Sequence, residues 1–425
     1  MNETKQFADI AVVGGGAAGL FAAISAANSL KHHGRIVILE HNARCGKKLL
    51  ATGNGRCNLL NVYPTLEHFH SEDMPYVKNI LARFTPKGIL SCFATMGLLC
   101  TEERGGLVYP KTMQASSVLD CLRLELNRLA VDEICDFHIS AITCEKDGFT
   151  LHTKEAPLIA RRLILATGGR AAPSFGCDSS GGGFLKAFGH RVTPLFPSLC
   201  PIKCKETFLR ALKGIRSTGM VRLFADGNLV KEETGEIQFT DTGLSGICIF
   251  NLSRMISEFI NRRTVSGNRV NSLSVSLDLL PEISLIDIET LLFGLKMRRA
   301  AVTLESFLTG ILNKRVAQCL LKSLEITPLS RLCDTLRPDE IRRLARTIKD
   351  WRFTPCGTAG FEQAQMTAGG AALSQFHQET LESKLRPGLY AAGETLDVDG
   401  DCGGYNLYWA WISGKLAGES AAKSL

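Results

Sequence analysis

The chain has 425 residues, enough for two or three domains with substantial cores. With 45% hydrophobic and 21% charged residues it is neither disordered nor fibrous. Its net charge of +7 is scattered over separated pairs (Lys47-Lys48, Arg161-Arg162, Arg262-Arg263, Arg298-Arg299, Arg342-Arg343), the pattern of a solvated surface and not of a nucleic-acid face. Fifteen cysteines without one Cys-x-x-Cys, and nine histidines without HExxH, give no metal site and no redox disulfide. Cys200 and Cys204 are too isolated to bind zinc, and His68-x-His70 is a weak signal alone. The thiols read as reduced and mostly buried, which fits a cytoplasmic protein.

Residues 9–19, DIAVVGGGAAG, run from a β-branched strand into Gly14-x-Gly16-x-x-Gly19 and an alanine-rich helix. Gly14 takes the tight turn, Gly16 lets backbone approach a pyrophosphate, and Gly19 lets the helix pack close to the sheet. The first amides of that helix, at Ala17 and Ala18, then face the phosphates. A second strand, RIVILE, ends in Glu40 about 20 residues beyond the glycines, where a carboxylate accepts from a ribose hydroxyl and repels a 2′-phosphate. The apolar stretch Ala8–Leu30 contains three consecutive glycines and lacks a basic leader, so it reads as buried strand and helix and not as an anchor. No other apolar run is long enough to span a bilayer.

The loop 44–61 follows, with ATGNGRCN at its heart, then helices near Pro75–Phe84, Pro86–Met96 and Ala115–Ala130. FHISAITC and FTLHT form a hairpin turning at Lys146-Asp147-Gly148, before the buried strand LILATGG. Prolines at 194, 197 and 201 mark a boundary. Residues 205–280 alternate in short strand-like runs, and 283–350 are helical, with leucines every three or four positions. The division expected is therefore 1–195 and 351–425 for a split nucleotide domain, 196–282 for an inserted β-rich domain and 283–350 for a helical one.

Three further segments make the dinucleotide a flavin. The strand 163–169 ends in Thr167-Gly168, as is typical beside this first fold. The strand 388–392 ends in Gly393-Glu394, a carboxylate placed for ribityl hydroxyls. Gly403-Gly404 then opens the last helix, and the amides of Tyr405, Asn406 and Leu407 can face the flavin N1–C2=O2 edge, where negative charge builds on reduction. The third segment, 51–58, sets polar residues among glycines and reads as a loop at the flavin edge. No second strand–GxGxxG–helix is present, so a nicotinamide donor docks only transiently.

GGGAAG, GKKLLATGNGRCN and GLYAAGETLDVDGDCGGYNLYWAWISG together resemble the YhiN-like flavoproteins, and GLVYPKTMQASSVLD and FTDTGLSG extend the resemblance over essentially the whole chain. That family includes aminoacetone oxidase and a Δ4,6-reductase of 3-dehydro-bile acids. The resemblance implies an α/β fold: a glutathione-reductase-type Rossmann FAD domain, split by an inserted β-barrel-like and helical region. It adds Lys48 to the cofactor residues and puts the backbone of Ala141, where the fold usually has a valine, against the adenine. Asn54 departs from the glycine common there, which narrows or polarises the space above the ring.

The function expected is an FAD-dependent, NAD(P)H-fed reductase of a carbon–carbon double bond conjugated to a ketone, with non-covalent FAD. Its substrate is a small, mostly apolar molecule with an anionic tail, plausibly a 3-oxo steroid or bile acid, and neither nucleic acid nor membrane is a partner. Tyr405, Arg56 and Tyr109 are the candidates for the polar catalytic roles. The alternatives are an amine oxidase passing electrons to oxygen and an FAD-bearing RNA-modification protein.

Overall fold

The computed structural model describes residues 6–425 except 32, 147 and 266; Asp147 of the expected hairpin turn is therefore outside the described residues. The chain forms two compact units, residues 1–197 with 364–425, and residues 198–363.

The first unit is built on a mainly parallel sheet. The first strand, Gln6–Val13, lies between Ile36–Leu39 and Leu158–Leu165, parallel to both, and Asp132–Ile134 extends the sheet beyond Ile36–Leu39. Ile10–Val13, Ile36–Leu39 and Leu163–Leu165 are buried and read as apolar runs. Leu158–Leu165 changes partner along its length: its first half pairs antiparallel with the hairpin Ala141–Glu145/Gly148–His152, and Leu163–Leu165 pair with Leu389–Ala391. That last pairing carries the C-terminal segment back into the nucleotide fold. The helices Met74–Leu81, Pro86–Thr95 and Ala115–Arg128 lie where periodicity puts them, and the latter two end one or two residues early.

The first helix, Ala17–Leu30, packs along the last helix, Tyr405–Lys423. A Cβ on Gly414 would come within 2.4 Å of the Ala18 carbonyl oxygen, and one on Gly418 within 2.1 Å of that of Ala22. Glycine is required at both positions because the helices approach backbone to backbone. Phe21, Phe93 and Trp411 fill the adjoining core with ring centroids 5.1–5.4 Å apart.

The second unit holds a seven-stranded antiparallel sheet in the order Trp351–Phe353, Leu273–Asp278, Arg216–Ala225, Asn228–Phe239, Gly243–Ser245, Ile202–Cys204 and Pro355–Thr358. Its two edge strands are consecutive in the chain, separated only by Thr354, so the sheet must curl round on itself in the manner of a barrel. This moves the expected boundary at 350: residues 351–358 are strands of the inserted sheet, not the resumption of the nucleotide domain. A second difference is the helix Ile247–Arg262 within the stretch read as strands. Its buried Ile249, Leu252, Ile256 and Phe259 follow a helical repeat. The helices Leu285–Arg298, Lys314–Ser323 and Pro338–Lys349 share one apolar core with this sheet, so strands and helices of the insertion form a single body.

Candidate functional site

The site begins at the turn after the first strand. Gly14 is left-handed (φ +104°), and a Cβ there would lie 2.4 Å from the Ala166 carbonyl oxygen. A Cβ on Gly19 would come within 1.9 Å of the Gly14 carbonyl, which is how tightly the helix sits on the turn. Gly16 is different: its backbone is extended and a Cβ would meet nothing within 4 Å. Open space therefore faces the start of a helix whose N-cap residue, Gly16, makes no side-chain capping bond, with Ala17 half-buried and Ala18 buried behind it. Unfilled amides facing open space form an anion site.

Glu40 closes one side. Its carboxylate is 7% exposed; Oε2 accepts from the Gly15 N–H at 2.7 Å, and Oε1 from the Asn42 N–H and Nδ2 at 2.9 and 2.7 Å. A carboxylate has about four lone-pair positions, so it retains capacity for a ribose hydroxyl. Asn42 is a site residue that spacing did not reveal. The backbone of Phe137 donates to the Glu40 carbonyl at 3.0 Å. Ala141 is four residues further on, at most about 14 Å of extended chain. It starts the hairpin strand and is exposed.

On the other side Lys48 and Glu394 are paired, Nζ to Oε2, at 2.8 Å. Burial works against the Lys48 cation, but the charge and hydrogen bond of Glu394 hold its pKa above the ordinary lysine value. Glu394 Oε1 also accepts the Thr367 N–H at 2.7 Å, and the Gly168 N–H donates to Thr395 Oγ1 at 3.2 Å, with Thr167 Oγ1 3.4 Å from the same hydroxyl. The Gly393 N–H donates to Ser413 Oγ at 2.9 Å, and Trp409 Nε1 donates to the Gly393 carbonyl at 3.1 Å, tying this strand end to the last helix. Thr367 and Thr395 are further residues that no motif marked.

The third wall is the loop 52–58. Gly53, Asn54, Gly55 and Cys57 all have positive φ (56°, 55°, 81° and 59°), and Asn is the non-glycine residue best suited to that conformation. Arg56 is exposed, with its guanidinium carbon 4.8 Å from the centroid of the Tyr109 ring. Burial raises the Tyr109 phenol above its usual range, against the pull of Arg56, so the hydroxyl stays a donor at neutral pH. Asn58 Oδ1 is buried with no hydrogen-bond partner among the described residues. Cys57 is fully buried, and burial pushes its thiol up to about 12.

Tyr405 lies at the start of the last helix. It is 6% exposed, its ring stacked on His68 at 4.2 Å and edge-on to Phe69 at 5.9 Å. The side chain packs the start of the last helix. The Asn406 side chain is likewise engaged, accepting from the Gly400 N–H at 2.8 Å and donating to the Gly400 carbonyl at 2.7 Å. Leu407 is half-buried against the core. What this end offers a ligand is backbone: Gly404 (φ +93°) opens a helix of 19 residues without a side-chain cap.

Among the described residues no group of three or more His, Cys, Asp or Glu forms a metal site, and no helix is long and apolar enough to cross a membrane. Over 417 residues the chain is 37% identical to the 3-dehydro-bile acid Δ(4,6)-reductase of Clostridium scindens, spanning 97% of this chain and 99% of that one. It is 28% identical to the ribosomal RNA dihydrouridine synthase of Escherichia coli, over 98% of this chain and 99% of the relative. Among solved structures, the 3-ketosteroid Δ1-dehydrogenase of Sterolibacterium denitrificans superposes with a TM-score of 0.52 at 12% identity, covering 99% of this chain and all of that one, a similarity of fold. The HI0933-like protein Rossmann domain matches residues 8–420, and with the open glycine turn, the buried Glu40 and the parallel sheet behind them this places the chain in the HI0933-like Rossmann family.

Proposed function

We propose that the protein binds FAD without a covalent link and, fed by NAD(P)H, reduces a carbon–carbon double bond conjugated to a carbonyl, with a 3-oxo-4-ene steroid of bile-acid type as its substrate. The observation that carries this reading is the 37% identity, over nearly the whole of both chains, with a reductase of that bond.

The residues fit the cofactor. The space above Gly16 and the uncapped first helix suit a pyrophosphate, Glu40 suits the adenosine ribose, and Glu394 with Lys48 suits the polar chain between phosphate and ring. The orphaned Asn58 Oδ1 and the amides of Tyr405, Asn406 and Leu407 suit the polar edge of the ring system. When bound, FAD supplies hydride chemistry that side chains lack. The chain's own part is orientation and polarisation. Tyr109, protonated, donates a hydrogen bond to the carbonyl; exposed Arg56 attracts the anionic tail. Burying a steroid skeleton contributes roughly 25 cal/mol for each Å² removed from water.

A second reading rests on the relative named for ribosomal RNA. Making dihydrouridine adds two hydrogens across a double bond that is also conjugated to a carbonyl, so both readings ask the same chemistry of the site and differ in what reaches it. Anaerobic turnover with NADH or NADPH decides between them. A 3-oxo-4-ene steroid gaining two hydrogens by mass, with uracil in an unmodified ribosomal RNA fragment unchanged, supports the steroid. The reverse result replaces it with RNA, and fast peroxide release from small amines in air replaces both with an oxidase.

A further inference from the structure

Two histidines near the start of the last helix have no part in the site so far. Phe69–His70 pairs antiparallel with Asp399–Gly400, and the Asp401 N–H donates to the His68 carbonyl at 2.9 Å. That short ladder sets the Asp401 carboxylate between two imidazoles: Oδ1 is 3.1 Å from His70 Nε2, and Oδ2 is 3.6 Å from His68 Nδ1. The carboxylate is buried, whereas the His68 side chain is 31% exposed. The His68 ring lies nearly parallel to that of Tyr405, at 15° and 4.2 Å.

We propose that His68, oriented by Asp401 and Tyr405 and backed by His70, is the proton-carrying side chain at the ring end of the site. The inference rests on the reductase reading above. The Asp401 carboxylate lies on the Nδ1 side of the ring, leaving Nε2 directed away from Asp401 as the atom that gives a proton up. Reduction of the conjugated bond consumes its π pair: the β-carbon gains hydride, ultimately from the nicotinamide, and the α-carbon gains a proton from His68 Nε2. His68 then regains a proton from solvent, so each turnover consumes one NAD(P)H and one proton. Half-exposure suits that resupply, and a buried Asp401 suits a fixed tautomer. Of the ionisable groups, Asp401 and Tyr405 lie against the ring, Asp399 pairs opposite His70 on the facing strand, and Glu67 and His70 flank His68 in its own segment.

The test uses the full chain loaded with FAD, comparing wild type with His68→Gln, Asp401→Asn and His70→Gln, each first shown to retain flavin and to melt as wild type does. The first readout is the midpoint potential of the bound flavin against pH. Wild type is expected to change slope with pH, His68→Gln to lose that change, and Asp401→Asn to alter it. The second is reoxidation of the photoreduced protein by 2-cyclohexen-1-one, expected to slow by roughly a hundredfold in His68→Gln, the lower end of general acid catalysis. Identical potential profiles in wild type and His68→Gln overturn the proposal whatever the substrate, as does equal reoxidation of the two where the enone reoxidises wild type. Should neither this enone nor a 3-oxo-4-ene steroid reoxidise wild type while the profiles differ, the reductase reading falls and the assignment of His68 stands.

Discussion

The Arg56 guanidinium lies over the Tyr109 ring, 4.8 Å from carbon to centroid, and joins a strained loop to a strand from elsewhere in the nucleotide unit. At an exposed site such a contact contributes about 0.5–1 kcal/mol to stability. Arg56→Ala is therefore expected to shift the melting point only slightly. If Arg56 also guides an anionic substrate, the variant raises KM at least tenfold at low salt and less at high salt, because screening weakens the attraction. A KM that is independent of both the substitution and the salt removes Arg56 from recognition.

Gly16 and Gly19 are expected to respond in opposite ways to a side chain. A Cβ at Gly16 meets no atom within 4 Å, so Gly16→Val leaves the stability of the flavin-free protein within about 0.5 kcal/mol of wild type while abolishing flavin retention. A Cβ at Gly19 falls 1.9 Å from backbone, so Gly19→Ala lowers the stability of the flavin-free protein as well. Differential scanning calorimetry with and without FAD separates the two.

Glu40 both holds the Gly15 amide and offers lone pairs outward. Glu40→Ala is expected to weaken FAD binding by about ten- to a hundredfold, the equivalent of the roughly 1.5–3 kcal/mol of a charge-assisted hydrogen bond. Glu40→Gln keeps an acceptor for Gly15 and loses the charge, so fluorescence titration should place it between wild type and Glu40→Ala. Equal affinity in all three would put the adenosine ribose elsewhere.

The Lys48–Glu394 pair sets a pH dependence. Because the Lys48 pKa lies above its unfolded value, the pair's contribution is complete below the ordinary 10.5 and is lost as pH rises through the higher folded value. Lys48→Met leaves the Glu394 carboxylate short of a partner, at about 1–3 kcal/mol. Denaturant melts should show that gap constant through neutral pH and shrinking only in strong alkali.

Cys57 sits in the flavin-edge loop, yet its thiol is pushed up to about 12 by burial and so remains protonated and inert at any ordinary pH. Alkylation of the native protein is expected to label exposed Cys144 and Cys356 and to spare Cys57, as read by peptide mass.

Features carried by short spacings could be read from the sequence. The turn from Gly14 to Gly19, Glu40 at the end of the second strand, and the Gly393-Glu394 pair all lie in local motifs, and the structure sets each at the end of a buried strand. The helix Ile247–Arg262 was obscured by its β-branched and aromatic residues, whose strand propensity outweighs a helical repeat until burial selects one face. The sheet closure that moves the insertion's end to Gln363 is topological and leaves no local mark. His70 and Asp401 are 331 residues apart, so only a folded chain reveals that His-x-His has a carboxylate between its rings.

The glycine contacts between the first and last helices carry a consequence for synthesis. The first helix leaves the ribosome early, but the surface meant to seat it, Tyr405–Lys423, is translated more than 370 residues later, after the whole insertion. At roughly 5–20 residues per second that delay is some 20–75 s, in which an apolar helix lacks its mate. The inserted body, uninterrupted in sequence from Ser198 to Gln363, can fold during the wait. Nascent chains stalled before Tyr405 should therefore bind chaperones and resist flavin loading, and the nucleotide pocket becomes a late checkpoint on a finished chain.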